Sequence, residues 1–216
     1  MQVFDCFMYY NEDTILDLRL NYLDKYVDYF IIVESTFNHR GQEKKLNFDI
    51  KNFKKFKQKI KYYILDSHPP DIEEIDSNDS ENEKSRKYIL NGYRRDHFQR
   101  NYLSKGISYA DENDIILISD IDEIPKLQNI NLQGIKNNIL LFNQKMCYYK
   151  FNLYQENYNW VGSRACKKKK LINPQWLRDV KPKKYPLWRL DNFFSKNKYH
   201  NIEFIENGGW HFSYLN

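Results

Sequence analysis

Apolar residues in this chain come in short blocks separated by polar stretches. The first, QVFDCFMYY at 2–10, is rich in aromatic and β-branched residues and predicts a strand. In NEDTILDLRLNYLDKYV at 11–27, Ile15, Leu16, Leu18, Tyr22, Leu23 and Val27 fall mostly on one helical face. Asn11 or Asp13 is the expected N-cap, with Glu12 in or near the first turn. DYFIIVES at 28–35 returns to strand, and strand–helix–strand predicts a parallel pair with a right-handed crossover.

After a loop containing FNHRGQEKKL, residues 49–60 read as a basic helix and IKYYILD as a third strand. SHPPDIEEIDSNDSENE is acidic, rich in Ser and Asn and carries two prolines, the pattern of a solvated loop. A long helix is expected over Lys84–Lys105, carrying Arg86, Arg94, Arg95 and Arg100, and it leads into the strand NDIILIS. Beyond Pro125 the periodicity weakens. NNILLFNQKMCYYKFNLY predicts one or two further strands, a basic and aromatic stretch follows, and FIENGGWHFSYLN closes the chain. The whole reads as one α/β domain.

Composition narrows the function classes. Of 216 residues, 41% are hydrophobic and 17% aromatic, too many for a disordered chain. The net charge of +5 suits an anionic ligand but falls short of a dedicated nucleic-acid binder. Cys6, Cys147 and Cys166 are widely spaced and form no CxxC, against a disulfide scaffold or zinc knuckle, and Cys6 reads as a core residue. The first residues lack a signal-peptide pattern, and no run approaches the ~18 apolar residues of a spanning helix. A soluble, cytoplasmic protein without a transmembrane segment is expected.

The candidate chemistry lies in IILISDIDEIP at 115–125, where an apolar strand runs into Asp120, Asp122 and Glu123. Ligands of open α/β sheets gather at the carboxyl ends of strands. Carboxylates there suit Mg²⁺ or Mn²⁺ bound together with a substrate diphosphate. The plainer reading is acids that cap the next element or face solvent. The absence of a Lys or Arg among them favours a bound cation as the neutralising charge.

SDIDEIP resembles the DxD segment of glycosyltransferase family 17, which includes β-1,4-N-acetylglucosaminyltransferases acting on N-glycans. YYNEDTILDLRL is similar to a second block of that family through Glu12, Leu16 and Arg19. VESTFNHRGQEKKLNF resembles a third through Glu34, Ser35, Phe37, Gly41, Leu46 and Phe48, and NGGWHFSYL a fourth through Gly209, Trp210 and His211. The four blocks follow the family's order over nearly the whole chain.

The resemblance implies a GT-A-type fold, a mostly parallel central sheet flanked by helices. Residues 1–125 would bind the nucleotide sugar and 126–216 would form the acceptor side. It implies an inverting transfer of N-acetylglucosamine from UDP-GlcNAc to a hydroxyl of a glycan acceptor, assisted by Mn²⁺ or Mg²⁺. Asp122 is the implied metal ligand, His211 the second, and Asp120 a contact to ribose or a metal-bound water. Glu34 is placed against uracil or ribose. Arg95 and Arg100, with Arg94 nearby, are placed against the diphosphate. Glu12 joins the donor-binding set and is also expected to pair with Arg19, two helical turns away. Glu123 and Asp191 are the leading candidates for the catalytic base, with Glu156, Asp179, Glu203 and Glu206 also available. Trp160, Trp176, Trp188 and Trp210 are candidate sugar platforms. Two rival readings stand beside this one. One is a nucleotide-sugar or glycan-binding module without catalysis. The other is a haloacid-dehalogenase-like phosphatase, which Ile124 disfavours by replacing the usual hydroxyl residue.

Overall fold

The apolar blocks pair into one mixed sheet in the computed structural model, which describes residues 1–135, 138–183, 195–198 and 200–214. Its elements are β1 (Val3–Tyr9), α1 (Asp13–Leu23), β2 (Tyr29–Ser35), β3 (Ile60–Leu65), α2 (Glu81–Tyr102), β4 (Ile115–Ile118), β5 (Glu123–Pro125), β6 (Ile139–Tyr148), β7 (Tyr154–Lys167), α3 (Pro174–Asp179), β8 (Ile202–Ile205) and β9 (Gly209–Ser213). The strand order is β3-β2-β1-β4-β7-β6-β9-β5, with β8 also paired to β6. Five pairings are parallel and three antiparallel, so the sheet is mostly parallel as expected.

Both faces of β2, β1 and β4 are covered, which is why they read as nearly unbroken apolar runs rather than as an alternation, whereas the edge strand β3 exposes Lys61 and Ile64. On one face Val3, Phe7, Phe30, Ile32, Ile115 and Leu117 pack with Ile15, Leu16, Leu20 and Leu23 of α1. On the other, Phe4, Cys6, Ile31, Val33, Ile116 and Ile118 pack with Leu103 and with Trp176 and Leu177 of α3. Each such Leu, Ile or Phe contributes about 1.5–3 kcal/mol by leaving water. The α2 helix follows another logic. Within it only Asn91 and Arg100 are buried, and it docks through polar side chains such as Gln99, which donates to the Val33 carbonyl at 3.2 Å.

Several local expectations change. Glu12, not Asn11 or Asp13, occupies the α1 N-cap position. Residues 50–56 form a 3₁₀ helix interrupted by non-helical backbone angles at Phe53, with Phe53 and Phe56 buried in the core. β7 carries the chain to Lys167 with Ala165 and Cys166 fully buried, and none of Lys168, Lys169 and Lys170 beyond it is buried. No helix among the described residues is long and apolar enough to cross a membrane.

Candidate active site

At the carboxyl end of β4 the chain turns through Asp120, Ile121 and Asp122 into β5. The turn closes on itself, with Glu123 N donating to the Asp120 carbonyl and Asp120 N to the Glu123 carboxylate, both at 3.0 Å. Arg19 of α1 holds it from beneath. Its guanidinium meets Asp5 of β1 in two bonds of 2.8 and 2.6 Å. From the same group Nη1 donates to the carbonyls of Asp120, Ile121 and Glu123 at 3.1, 3.1 and 2.8 Å. Arg19 and Asp5 are both fully buried, so this charged pair exists only with its hydrogen bonds complete. The expected Glu12–Arg19 pair is absent. Arg19 points into the core, while the Glu12 carboxylate accepts from Tyr10 N and Asn11 N at the exposed start of the helix.

The acids are neutralised by two arginines distant in sequence. Arg100 of α2 reaches Asp120 Oδ1 at 3.1 Å, and also bonds Asp96 and Gln175. Arg178 of α3 reaches Asp120 Oδ2 at 2.9 Å and Glu123 Oε2 and Oε1 at 2.7 and 2.9 Å. Burial works against the charge of Asp120, but Arg178 and Arg100 outweigh it and hold its carboxyl below the usual range. The same contacts raise the Arg178 pKa despite its burial. The neutralising charge expected of a bound cation is supplied, at Asp120 and Glu123, by these two arginines. Arg178 was missed because nothing near it in sequence marks it. Asn173 caps α3 by accepting from Trp176 N at 2.7 Å, and Arg164 satisfies carbonyls at its far end, including those of Leu177 and Val180.

Asp122 remains outside that clamp. Antiparallel pairing of β5 with β9 sets Glu123 opposite His211, and Phe212 N donates to the Asp122 carbonyl. His211 Nε2 then stands 3.2 Å from Asp122 Oδ2, with the Trp160 ring stacked on the imidazole at 4.9 Å. Burial disfavours the imidazolium, but the Asp122 carboxylate outweighs it and raises the His211 pKa. Among the described residues no three His, Cys, Asp or Glu side chains form a metal cage. The pair nevertheless fits a hard cation shared with a ligand. Donors bound side by side to octahedral Mg²⁺ or Mn²⁺ at about 2.1 Å lie about 3.0 Å apart, and such ions keep waters and take substrate phosphates.

A cleft of about 280 Å³ opens over the carboxyl ends of β1, β2 and β4. It brings together Glu12, Arg95, Arg100, Asp120, Asp122 and His211, six of the sequence candidates. Arg95 donates to the His39 carbonyl at 3.0 Å, while its buried Nε has no hydrogen-bond partner among the described residues. Burial lowers its pKa. Lys44 and Asp96, not singled out from sequence, line the same cleft.

The glycosyltransferase family 17 model matches residues 1–174. The chain belongs to glycosyltransferase family 17. It is therefore a glycosyltransferase, and no individually curated protein matches it. Within this family-17 chain the match covers the Asp120–Glu123 turn, Arg19, Arg95 and Arg100. It ends before Arg178, which geometry alone brings to the site, and before the Gly209–His211 block, whose His211 the pairing of β5 with β9 sets beside Asp122.

Two candidates of the family-17 chain stand elsewhere. Glu34 is fully buried, and its carboxylate accepts from Asn47 N, Phe48 N and Tyr62 Oη at 2.8, 3.1 and 2.8 Å and pairs with Lys44. It ties down the segment that frames the cleft rather than facing a nucleoside. Glu123 is likewise fully buried, enclosed by Arg178, the Asp120 amide and Trp160 Nε1 at 2.6 Å, and does not line the cleft. A general base must reach its proton, and Glu123 instead holds the turn. Asp191 and Trp188 lie outside the described residues. Trp176 and Trp210 pack in or against the two cores, leaving Trp160 as the tryptophan beside the site.

Proposed function

We propose that the chain transfers N-acetylglucosamine from UDP-GlcNAc to a hydroxyl of a glycan, with inversion, on a GT-A-type scaffold. One observation carries the reading: Asp122, His211, Asp120, Arg100 and Arg95 converge on one cleft at the carboxyl ends of parallel strands. Asp122 and His211 would hold Mn²⁺ or Mg²⁺. Such an ion supplies positive charge to the leaving diphosphate.

The protein's own groups do the rest. The Arg95 guanidinium lines the cleft and would meet the diphosphate there as a charged donor. Asp120, fixed by two arginines, presents a carboxylate of set orientation to a ribose hydroxyl or a bound water. Glu12 lines the rim beside Tyr10. Asp191 is the carboxylate we assign to deprotonate the acceptor hydroxyl. The enclosure of Glu123 favours one further reading, a binding protein without turnover. Release of UDP from UDP-GlcNAc, and its loss in Asp191→Asn, separates the two.

The direct test is calorimetric titration of UDP-GlcNAc, with and without Mn²⁺, into the protein and into Asp122→Ala. Metal-dependent binding that the substitution abolishes is expected. Equal binding by both proteins, or none by either, overturns the assignment.

A further inference from the structure

The His211 imidazole is hydrogen-bonded at one end only. Its Nε2 faces Asp122 Oδ2 at 3.2 Å, whereas Nδ1 is buried and has no hydrogen-bond partner among the described residues. Ligating histidines usually fix their ring plane by donating from the second nitrogen to a carboxylate, a carbonyl or a water. The torsion that turns the ring is intrinsically broad, so a bond at one end does not hold the plane. Another contact must set it.

Trp160 supplies that contact. Its ring stacks on the imidazole at 4.9 Å with an interplanar angle of 26°, bridging β7 to β9 across β6. The indole is fixed in turn, because Nε1 donates to Glu123 Oε1 at 2.6 Å. Glu123 is fully buried and already anchored: Arg178 clasps both its oxygens, and the Asp120 amide donates to one of them. Strand register closes the loop, since Glu123 lies opposite His211 in the β5–β9 pair.

Gly162 leaves the space for this arrangement. A Cβ there would collide with the Gln144 amide oxygen and stand 2.8 Å from Trp160 Cδ1 and 2.9 Å from Glu123 Cδ. Gln144 is itself fully buried, lies opposite Trp160 in the β6–β7 pair, and donates to the carbonyl of Trp210, the residue before His211. Indole, carboxylate and amide are therefore packed against one another around a position that carries no side chain.

We propose that Trp160 is a positioning residue for His211: the indole, oriented by Glu123, holds the imidazole in the plane that presents Nε2 beside Asp122. The inference rests on the reading of Asp122 and His211 as metal ligands. It gives the enclosed Glu123 a second task, passed to the ligand through Trp160. The electron-rich face of an indole also suits an imidazole that shares a cation's charge.

The test measures Mn²⁺ binding to the full chain by electron paramagnetic resonance, with UDP present and no acceptor, so turnover does not enter. Trp160→Leu removes ring and donor and should lose about tenfold in Mn²⁺ affinity, as loss of an outer partner of a metal site does. Trp160→Phe keeps a ring without the donor and should fall between Trp160→Leu and wild type. In a His211→Ala background Trp160→Leu should cost nothing further, because no imidazole is left to position. A tryptophan that only supports the fold would weaken binding equally in both backgrounds, and that result overturns the inference. So does unchanged affinity in Trp160→Leu, or binding by Trp160→Phe no tighter than by Trp160→Leu. Should circular dichroism show Trp160→Leu unfolded, Trp160→Phe with and without His211→Ala makes the same comparison. Wild-type protein that binds no Mn²⁺ overturns the metal reading and this inference with it, whereas wild-type binding that no Trp160 variant alters overturns the inference alone.

Discussion

Arg178 reaches Asp120 at 2.9 Å and clasps both oxygens of Glu123, although 58 and 55 residues separate it from these partners. Two carboxylates of a three-acid turn are thereby neutralised by protein, and Asp122 stands outside the arginine clamp. Arg178→Met should leave Glu123 charged and buried without its partner. The expected loss is about 3–5 kcal/mol of stability, read from the urea midpoint. The Arg178→Met/Glu123→Gln double variant should recover part of it, because the stranded charge is gone. A double variant less stable than the single one would show that the pair is not what holds the turn.

Arg19 allows a sharper expectation, since its one guanidinium serves Asp5 and three turn carbonyls at once. Lysine offers a compact point charge and cannot reproduce that planar fork. Arg19→Lys is therefore expected to destabilise the chain by about 1–3 kcal/mol, the cost of leaving buried turn carbonyls without their donor. Thermal denaturation would measure it. A melting temperature within a degree or two of wild type would refute the role assigned to Arg19.

Asp122 and His211 should behave in the opposite way. The Asp122 side chain is 31% exposed, outside the arginine clamp, so Asp122→Asn should change stability little. Transfer activity, by contrast, should vanish on chelation, return with Mn²⁺, and not return in Asp122→Asn. His211→Ala should raise the Mn²⁺ concentration giving half-maximal activity. Activity that survives exhaustive chelation would remove the metal from the proposal.

The legible parts of this protein are those whose meaning is local. β1, α1 and β2 declared themselves because strands covered on both faces must be apolar throughout, and an amphipathic helix must repeat at its own period. Asp120 and Asp122 stood out because acids at the end of a buried strand are unusual. Partners brought in by topology were not legible. Arg178 sits in a six-residue helix within a basic stretch, where one arginine looks like any other. Glu34 and Glu123 looked like available acids, and burial alone revealed that their oxygens are already spent on internal donors. β7 was not read beyond Tyr154, because Gln155, Glu156, Tyr158 and Asn159 are exposed polar and aromatic residues that break the strand pattern.

Gly41 gives a final test that separates binding from folding. Its φ of +83° lies in the left-handed region, and a Cβ there would stand 2.4 Å from Arg95 Nη2. Gly41→Ala should cost about 1–2 kcal/mol in backbone strain. Because the obstructing atoms belong to the end of a flexible side chain, Arg95 can swing aside rather than unfold the turn. It would then leave the position from which it faces the cleft. Loss of one charge-assisted hydrogen bond, about 1.5–3 kcal/mol, should weaken UDP-GlcNAc binding roughly tenfold or more. Arg95→Ala should weaken it comparably, and combining the two should add little, since both act through one guanidinium. Full additivity in calorimetry would mean that Gly41 acts on the cleft by another route.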